Sequence, residues 1–164
     1  MLNQALAHDA LEAALSCGGD FAELFVEDRR SHSLSFQDNR LETVHSGRTH
    51  GAGIRVYVGL NAIYTYTNDT DRDGLLRCAK QAAAAVRDWK GGLTAVQPFY
   101  TPEIKNLHTI QCMPSQAETR KKAEFLRAAN AAARAYSPEI SQVMVGYNDS
   151  EQDVLIANSD GLFV

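Results

Sequence analysis

The chain has 164 residues and a mass of 18.0 kDa, with 16 Lys and Arg against 20 Asp and Glu, a net charge of -4 and a pI near 5.7. That is room for one domain or two small ones, and at 45% hydrophobic residues the chain is too apolar to be a disordered segment. The acidic balance argues against a nucleic-acid binder held by counterion release, and no apolar run approaches the roughly 18 residues of a membrane span.

Met1 to Gly19 lacks the basic start of a signal peptide and carries His8, Asp9 and Glu12 within an apolar pattern. Cys17, Cys78 and Cys112 are odd in number and form no C-x-x-C pair, so reduced thiols in a cytoplasm are expected. Arg120-Lys121-Lys122, flanked by Glu118 and Glu124, reads as a solvated helix face.

In chain order, Leu2, Leu6, Ala10, Ala13 and Cys17 recur at helical spacing before Gly18-Gly19, which predicts a helix over about 2–17. The period then becomes two. Ala22, Leu24 and Val26 alternate with Glu23, Phe25 and Glu27, and His32, Leu34 and Phe36 with serines, which predicts two strands in a hairpin. Gln37 to Arg40 is a turn before a strand over Leu41 to Ser46. Gly47 to Gly53 is a second turn before Ile54, Val56 and Val58, and Gly59-Leu60-Asn61 leads into Ala62 to Thr67. The sum is an antiparallel meander of about five strands.

Leu75, Leu76, Ala79, Ala82, Ala83, Val86 and Trp89 form one apolar stripe closed by Gly91-Gly92, with Thr70 and Asp73 resembling a capping box. Residues 90–114, with Pro98, Pro102 and Pro114, read as an extended connector or a short edge strand. Ser115 to Glu118 is a capping-box pattern for a helix carrying Phe125, Ala129, Ala132, Ala133 and Tyr136. Strands follow at Gln142 to Tyr147 and Asp153 to Ala157, and Leu162-Phe163-Val164 begins another. The fold class is α+β, with a first unit over 1–89, a connector over 90–114 and a second, truncated helix-strand-strand unit over 115–164. A shift of 120 positions sets Phe25 on Val145, Leu34 on Val154, Phe36 on Ile156 and Asp38-Asn39 on Asn158-Ser159, which suggests an internal duplication. An apolar strand at the very end leads us to expect a fragment of a longer protein.

Asp69-x-Asp71-x-Asp73-Gly74 matches the first half of a calcium loop, but the twelfth position is Lys80, and acidic residues at a helix start account for the cluster. His32, His45 and His50 lack any zinc-motif spacing. Cys17 and Cys78 fall on helical apolar faces where an inert buried thiol is expected, which leaves Cys112 as the accessible one. His50-Gly51-Ala52-Gly53 leads into a strand rather than a helix, so a tight turn is the plain reading of its glycines. Arg55 is either ion-paired or a fixed guanidinium for a carboxylate or a peptide carbonyl. Tyr64, Tyr66, Thr67 and Asn68 form an aromatic and polar strand end, expected to pack beneath the helix because no basic surround suits nucleic-acid bases.

Phe21 to Asp28, FQDNRLETVHSG (Phe36 to Gly47), HGAGIRVYVG (His50 to Gly59), YTYTND (Tyr64 to Asp69) and VLIANSDGLFV (Val154 to Val164), taken as an ordered series, resemble the N-terminal region of the TldD/PmbA family, once called modulators of DNA gyrase. The G-x-G-x-R-V and T-N-D segments look more like the TldD branch. The resemblance implies a zinc metallopeptidase in which related subunits pair around a chamber and cut unfolded peptides, in peptide maturation and antitoxin removal. Its zinc site is similar to an H-E-x-x-x-H helix in a C-terminal domain. No such motif stands in this sequence, so no catalytic or metal residue transfers and no cofactor is expected within the fragment itself.

The expectation is a cytoplasmic, noncatalytic N-terminal domain, its C-terminal catalytic domain absent, that contributes to subunit assembly and peptide admission. His50, Gly51, Gly53, Arg55, Tyr64, Tyr66 and Asn68 are the candidate peptide or interface contacts, and a family subunit and an unfolded peptide are the partners. A free-standing adaptor module is the alternative, with a small hydrolase using Cys112 behind it.

Overall fold

The computed structural model describes residues 2–86, 92–105 and 108–164. Its elements are α1 (Gln4–Leu15), β1 (Phe21–Gln37), β2 (Arg40–Val58), β3 (Asn61–Thr67), α2 (Arg72–Ala85), α3 (Thr119–Ala135) and β4 (Met144–Asn158). The strands form one antiparallel sheet in the order β3-β2-β1-β4, so the α+β class holds.

The strands are fewer and longer than the alternation predicts. The expected hairpin over 21–36 is the single strand β1, the expected strands on either side of Gly47 to Gly53 are the single strand β2, and the two after residue 141 are β4. Residues 27–33 of β1 and 40–49 of β2 bury no side chain fully. Ladder hydrogen bonds carry these stretches without an apolar face, so periodicity cannot reveal them. Between β1 and β2, Asp38 (φ 49°) and Asn39 (φ 62°) both take left-handed angles, the pair of conformations a two-residue hairpin turn requires. Shifted by 120 positions, α1 falls within α3 and β1 on β4 to within three residues.

By packing the chain divides into two units, the first of residues 1–28, 50–105 and 153–164, the second of 29–49 and 106–152. In the first, Asn3 caps α1 by accepting the Leu6 amide at 2.8 Å. The helix buries Ala7, Ala10, Leu11, Ala14 and Leu15 against Ala22, Leu24, Ile54, Val56 and the α2 face led by Leu75 and Ala79. It ends two residues earlier than expected, so Cys17 is exposed rather than buried. Gly19 has φ +131°, and a Cβ there would lie 2.7 Å from Val56 Cγ1; only glycine fits this close passage beneath the sheet end. The stripe on α2 is buried as expected through Val86, while Trp89 and Gly91 lie outside the described residues. Of the connector, Val96 and Phe99 pack on this core and Tyr100 bridges to Leu162, as a short edge segment would.

In the second unit α3 turns a different face inward from the expected one. Lys122, Ala123, Leu126 and Asn130 are buried over Leu34 and Phe36, whereas Phe125 and Tyr136 are 68% and 89% exposed. The run Arg120-Lys121-Lys122 is therefore not a wholly solvated face. The Ser115 capping box is absent too. Pro114–Gln116 forms a 3-10 turn and Glu118 stands at the N-cap without a side-chain bond.

The acidic pattern before α2 has a structural explanation. Asp71, not Thr70, is the N-cap and accepts the Gly74 amide at 2.7 Å, and Asp69 pairs with Arg77 at 2.6 Å. A Cβ on Gly74 would collide with the Asp69 carbonyl and lie 2.6 Å from its carboxyl carbon. The glycine serves this contact, with no ion needed. Gly74→Ala should lower stability by about 1–3 kcal/mol, read by denaturant titration. Added calcium should leave the unfolding curve of the unaltered chain in place; a calcium-dependent shift would restore the metal reading.

Candidate functional site

Period two divides the first unit's strands into two faces. Ala22 and Leu24 of β1 and Ile54, Val56 and Val58 of β2 are buried under the helices, so the odd-numbered side chains of both strands point the other way. Arg55 of β2 stands opposite Tyr64 of β3, and Gly53 opposite Tyr66. Tyr64 and Tyr66 are 55% and 75% exposed and stack with ring centroids 6.4 Å apart. They lie on the open face, and the expectation that they pack beneath the helix is corrected by the register.

Arg55 is the centre of this face. Its Nη1 donates to Glu23 Oε1 at 2.8 Å and to the Tyr57 hydroxyl at 3.4 Å, and the guanidinium lies 5.5 Å from the Tyr64 ring centroid. The hydrogen bond to Tyr57 and the charge of Glu23 raise its already high pKa. The ion-paired reading of Arg55 is the one observed, and a peptide carbonyl would have to share the guanidinium with Glu23. Tyr57, which the sequence places beside Arg55, belongs to the same face, as do Glu23, Phe21 and Phe25, which sequence reasoning did not single out as contacts. Their signal was the odd-numbered phase of the alternation. Gly51 abuts the Thr67 carbonyl and Asn68 Oδ1, which brings Asn68 to the same end of β2 as His50.

His50 itself lines a cleft of about 430 Å³ together with Leu6, Val26, Asp28, Thr70 and Leu155. Its Nε2 lies 2.9 Å from Thr70 Oγ1, and its Nδ1 is buried, without a hydrogen-bond partner, 4.0 Å from Asp28 Oδ2.

The second unit holds a polar cluster that no motif announced. Lys122, 6% exposed, places Nζ 2.6 Å from Asp149 Oδ2 and donates to the Pro114 carbonyl at 2.9 Å. His32 Nδ1 lies 2.9 Å from Asp149 Oδ1, and the Lys122 ammonium stands 5.7 Å from the Tyr147 ring centroid. Burial by itself would raise the Asp149 carboxyl, but hydrogen bonds from Lys122, His32 and Tyr147 outweigh it and hold the group below its ordinary value.

His32, His45 and His50 do not converge as ligands among the described residues. Among the described residues the close cluster of ligating groups is His8, Asp9 and Glu12 on the outside of α1. Asp9 there already pairs with Arg72 at 2.7 Å, and two of the three belong to an i,i+4 surface pair. Cys78 is buried against Thr65, while Cys112 is exposed with its thiol 3.5 Å from the Met113 carbonyl. No catalytic partner accompanies it among the described residues. No helix among them is long and apolar enough to cross a membrane.

Two family models match the chain: PmbA/TldA metallopeptidase domain 1 over residues 22–86 and the central domain of the same family over 113–164. A metalloprotease TldD homolog from Buchnera aphidicola is 22% identical over 161 residues, covering 94% of this chain and 32% of that protein. A candidate modulator of DNA gyrase from Bacteroides thetaiotaomicron superimposes with a TM-score of 0.76 at 20% identity, over 99% of this chain and 38% of that one. TldE from Thermococcus kodakarensis gives 0.69 at 15% identity, over 97% and 36%. The chain thus spans about a third of the length of the relatives it matches.

The depressed Asp149 carboxyl has a pH consequence. Its stabilisation is complete above its unfolded pKa of about 3.9 and is lost as pH falls through the lower folded value. Melting followed between about pH 6 and 2 should show a loss of stability below about pH 4 that is smaller in Asp149→Asn. Lys122→Met leaves the carboxylate without its cation and should cost toward the lower end of roughly 3–5 kcal/mol, since the neighbouring His32 is partly solvated.

Proposed function

The chain belongs to the PmbA/TldD metallopeptidase family, and from that premise we propose that it is the noncatalytic N-terminal part of a TldD-like zinc peptidase acting on unfolded peptides in the cytoplasm. In this reading the zinc, its activated water and a Glu base are supplied by residues other than these 164. The chain's own work is to help family subunits assemble and to admit the peptide.

The observation that carries the reading is the position of β3 at the end of the sheet order, beside the face formed by Tyr64, Tyr66 and Arg55. A terminal strand offers backbone N–H and C=O groups to an extended chain, and such pairing selects for unfolded peptides with little demand on sequence. The tyrosines add contact area at low conformational cost. For assembly, α3 offers Phe125, Ala129, Ala132 and Tyr136 at spacings of four, three and four, the seam along which one helix packs on another. Its aromatic members face solvent.

Unfolded peptides of unrelated sequence should bind the chain with similar affinities in fluorescence anisotropy, and methylating alternate backbone nitrogens of the peptide should abolish binding. Equal binding of the methylated peptide would remove strand addition as the mode of admission. Phe125→Asp should weaken association between subunits by about tenfold or more, measured by sedimentation; an unchanged profile would exclude α3 from the interface.

A further inference from the structure

Under α3 the second unit buries Leu34 and Phe36 of β1 and packs Val145 and Tyr147 of β4 beside them. Strand side chains alternate, so Arg29, Ser31 and Ser33 of β1 and Asn148 and Ser150 of β4 point to the other face. Ser35 Oγ meets Thr43 Oγ1 at 2.6 Å, which puts His45 and Gly47 of β2 in the same phase as those serines. All of these except Ser35 and Thr43 line one cleft of about 480 Å³, within the roughly 300–1,000 Å³ of small-ligand sites. His32, Ser46 and Asp149 also border it. Each stands in sequence between two residues of the face, and by alternation its side chain points away, so its backbone is what the cleft meets. Asp149, the one acid along the cleft, spends its carboxylate on Lys122 and His32 on the α3 side.

The side chains on the cleft face are thus one arginine, one histidine, three serines and an asparagine, with no acid among them. Arg29 and His45 are exposed, and neither side chain has a hydrogen bond or ion pair among the described residues. A cation would meet the free guanidinium, and an apolar ligand would cover hydroxyls without satisfying them. A metal ion would find a single imidazole. A carboxylate accepts at about four lone-pair sites, fewer than the donors that the guanidinium fork, three hydroxyls, an amide and an imidazole present. A phosphoryl group has three terminal oxygens and close to two negative charges, and arginine matches it with two parallel N–H donors.

We propose that this cleft binds the terminal phosphoryl group of a phosphate monoester, or inorganic phosphate itself. Arg29 pairs with the anion, the hydroxyls of Ser31, Ser33 and Ser150 donate to its remaining oxygens, and Gly47 leaves the space it occupies. The assignment stands on the second unit alone and does not depend on strand addition at β3.

The test is a titration of the isotope-labelled chain at about pH 7.5, above the second phosphate pKa of about 6, followed by the ring resonances of His45 at constant ionic strength. The ligands are inorganic phosphate, acetate, a phosphoserine peptide and the same peptide unphosphorylated. Phosphate should shift His45 saturably, and acetate should not. Arg29→Met removes an exposed side chain and should weaken phosphate binding by about tenfold. Gly47 lies outside the left-handed range and a Cβ there would stand at contact distance, 3.4 Å, from Ser31 Oγ, so Gly47→Val should keep the amide spectrum of the core and block the cleft. Tighter binding of the phosphopeptide than of inorganic phosphate identifies a phosphorylated side chain as the source, and equal binding identifies a free phosphate; both leave the assigned chemistry standing. No saturable shift up to about 20 mM phosphate, well past millimolar affinity, overturns the proposal. So does an equal response to acetate or to the unphosphorylated peptide, or binding unchanged in either variant. An unphosphorylated peptide that binds without moving His45 bears on strand addition and leaves this site untouched.

Discussion

The register of β2 on β3 is the constraint on which the candidate surface depends. Pairing Arg55 with Tyr64 and Gly53 with Tyr66 sends both tyrosines to the open face and turns Ile63 and Thr65 toward α2. A slip of one residue would reverse every assignment, because strand side chains alternate strictly. Two contacts oppose the slip from the inner side. Ile63 packs on the core, and the Thr65 hydroxyl donates to the Cys78 carbonyl at 3.1 Å. The open face is thus fixed by what lies beneath the sheet, and Arg55 finds Glu23 and Tyr57 because β1 and β2 keep the same phase.

The sequence made much of this legible where burial is periodic. The α2 stripe and the inward residues of β1 and β2 lie where apolar spacing places them, and the Asp38-Asn39 turn where turn residues do. On α1 the helix is where expected, but it buries Ala7, Ala10, Leu11, Ala14 and Leu15 rather than the stripe of Leu2, Leu6, Ala10, Ala13 and Cys17. What escaped has one cause in several forms. The middle of β1 and the first half of β2 are strand by hydrogen bonding alone, so a pattern read from burial broke them into pieces. On α3 the buried stripe contains Lys122 and Asn130, and an apolar count therefore chose the opposite face, where Phe125 and Tyr136 in fact stand in solvent. Of the candidate contacts, Arg55, Tyr64, Tyr66 and Gly53 converge on one face and His50 turns to a cleft on the other side. A list in sequence order could not separate them.

The two units also solve their interior differently. The first closes over Leu11, Leu24, Ile54 and Leu75, all fully buried, which is nonspecific in direction but large in sum. The second has a small apolar cluster of Leu34, Phe36, Ala123 and Leu126 and sets beside it the Lys122–Asp149–His32 group. A buried ion pair contributes little net stability when set against apolar packing. It does impose geometry, since Lys122 meets its carboxylate and the Pro114 carbonyl only when α3 and the turn before it stand in one arrangement. That directional demand suits an element with few apolar contacts to define its rotation.

The composition of the open face fits a surface that meets another chain. Tyrosine and arginine are the residue types that tolerate water when alone and supply contact area when covered. Binding normally costs the freedom of the side chains it orders. Here Arg55 is already held by Glu23 and Tyr57 and lies beside the Tyr64 ring, and that ring stacks on Tyr66. The ordering is done before any partner arrives, by contacts within the sheet itself. Under the proposed strand addition, a peptide at β3 would meet a surface whose shape is set, and the affinity would rest on the peptide's own loss of freedom more than on the protein's.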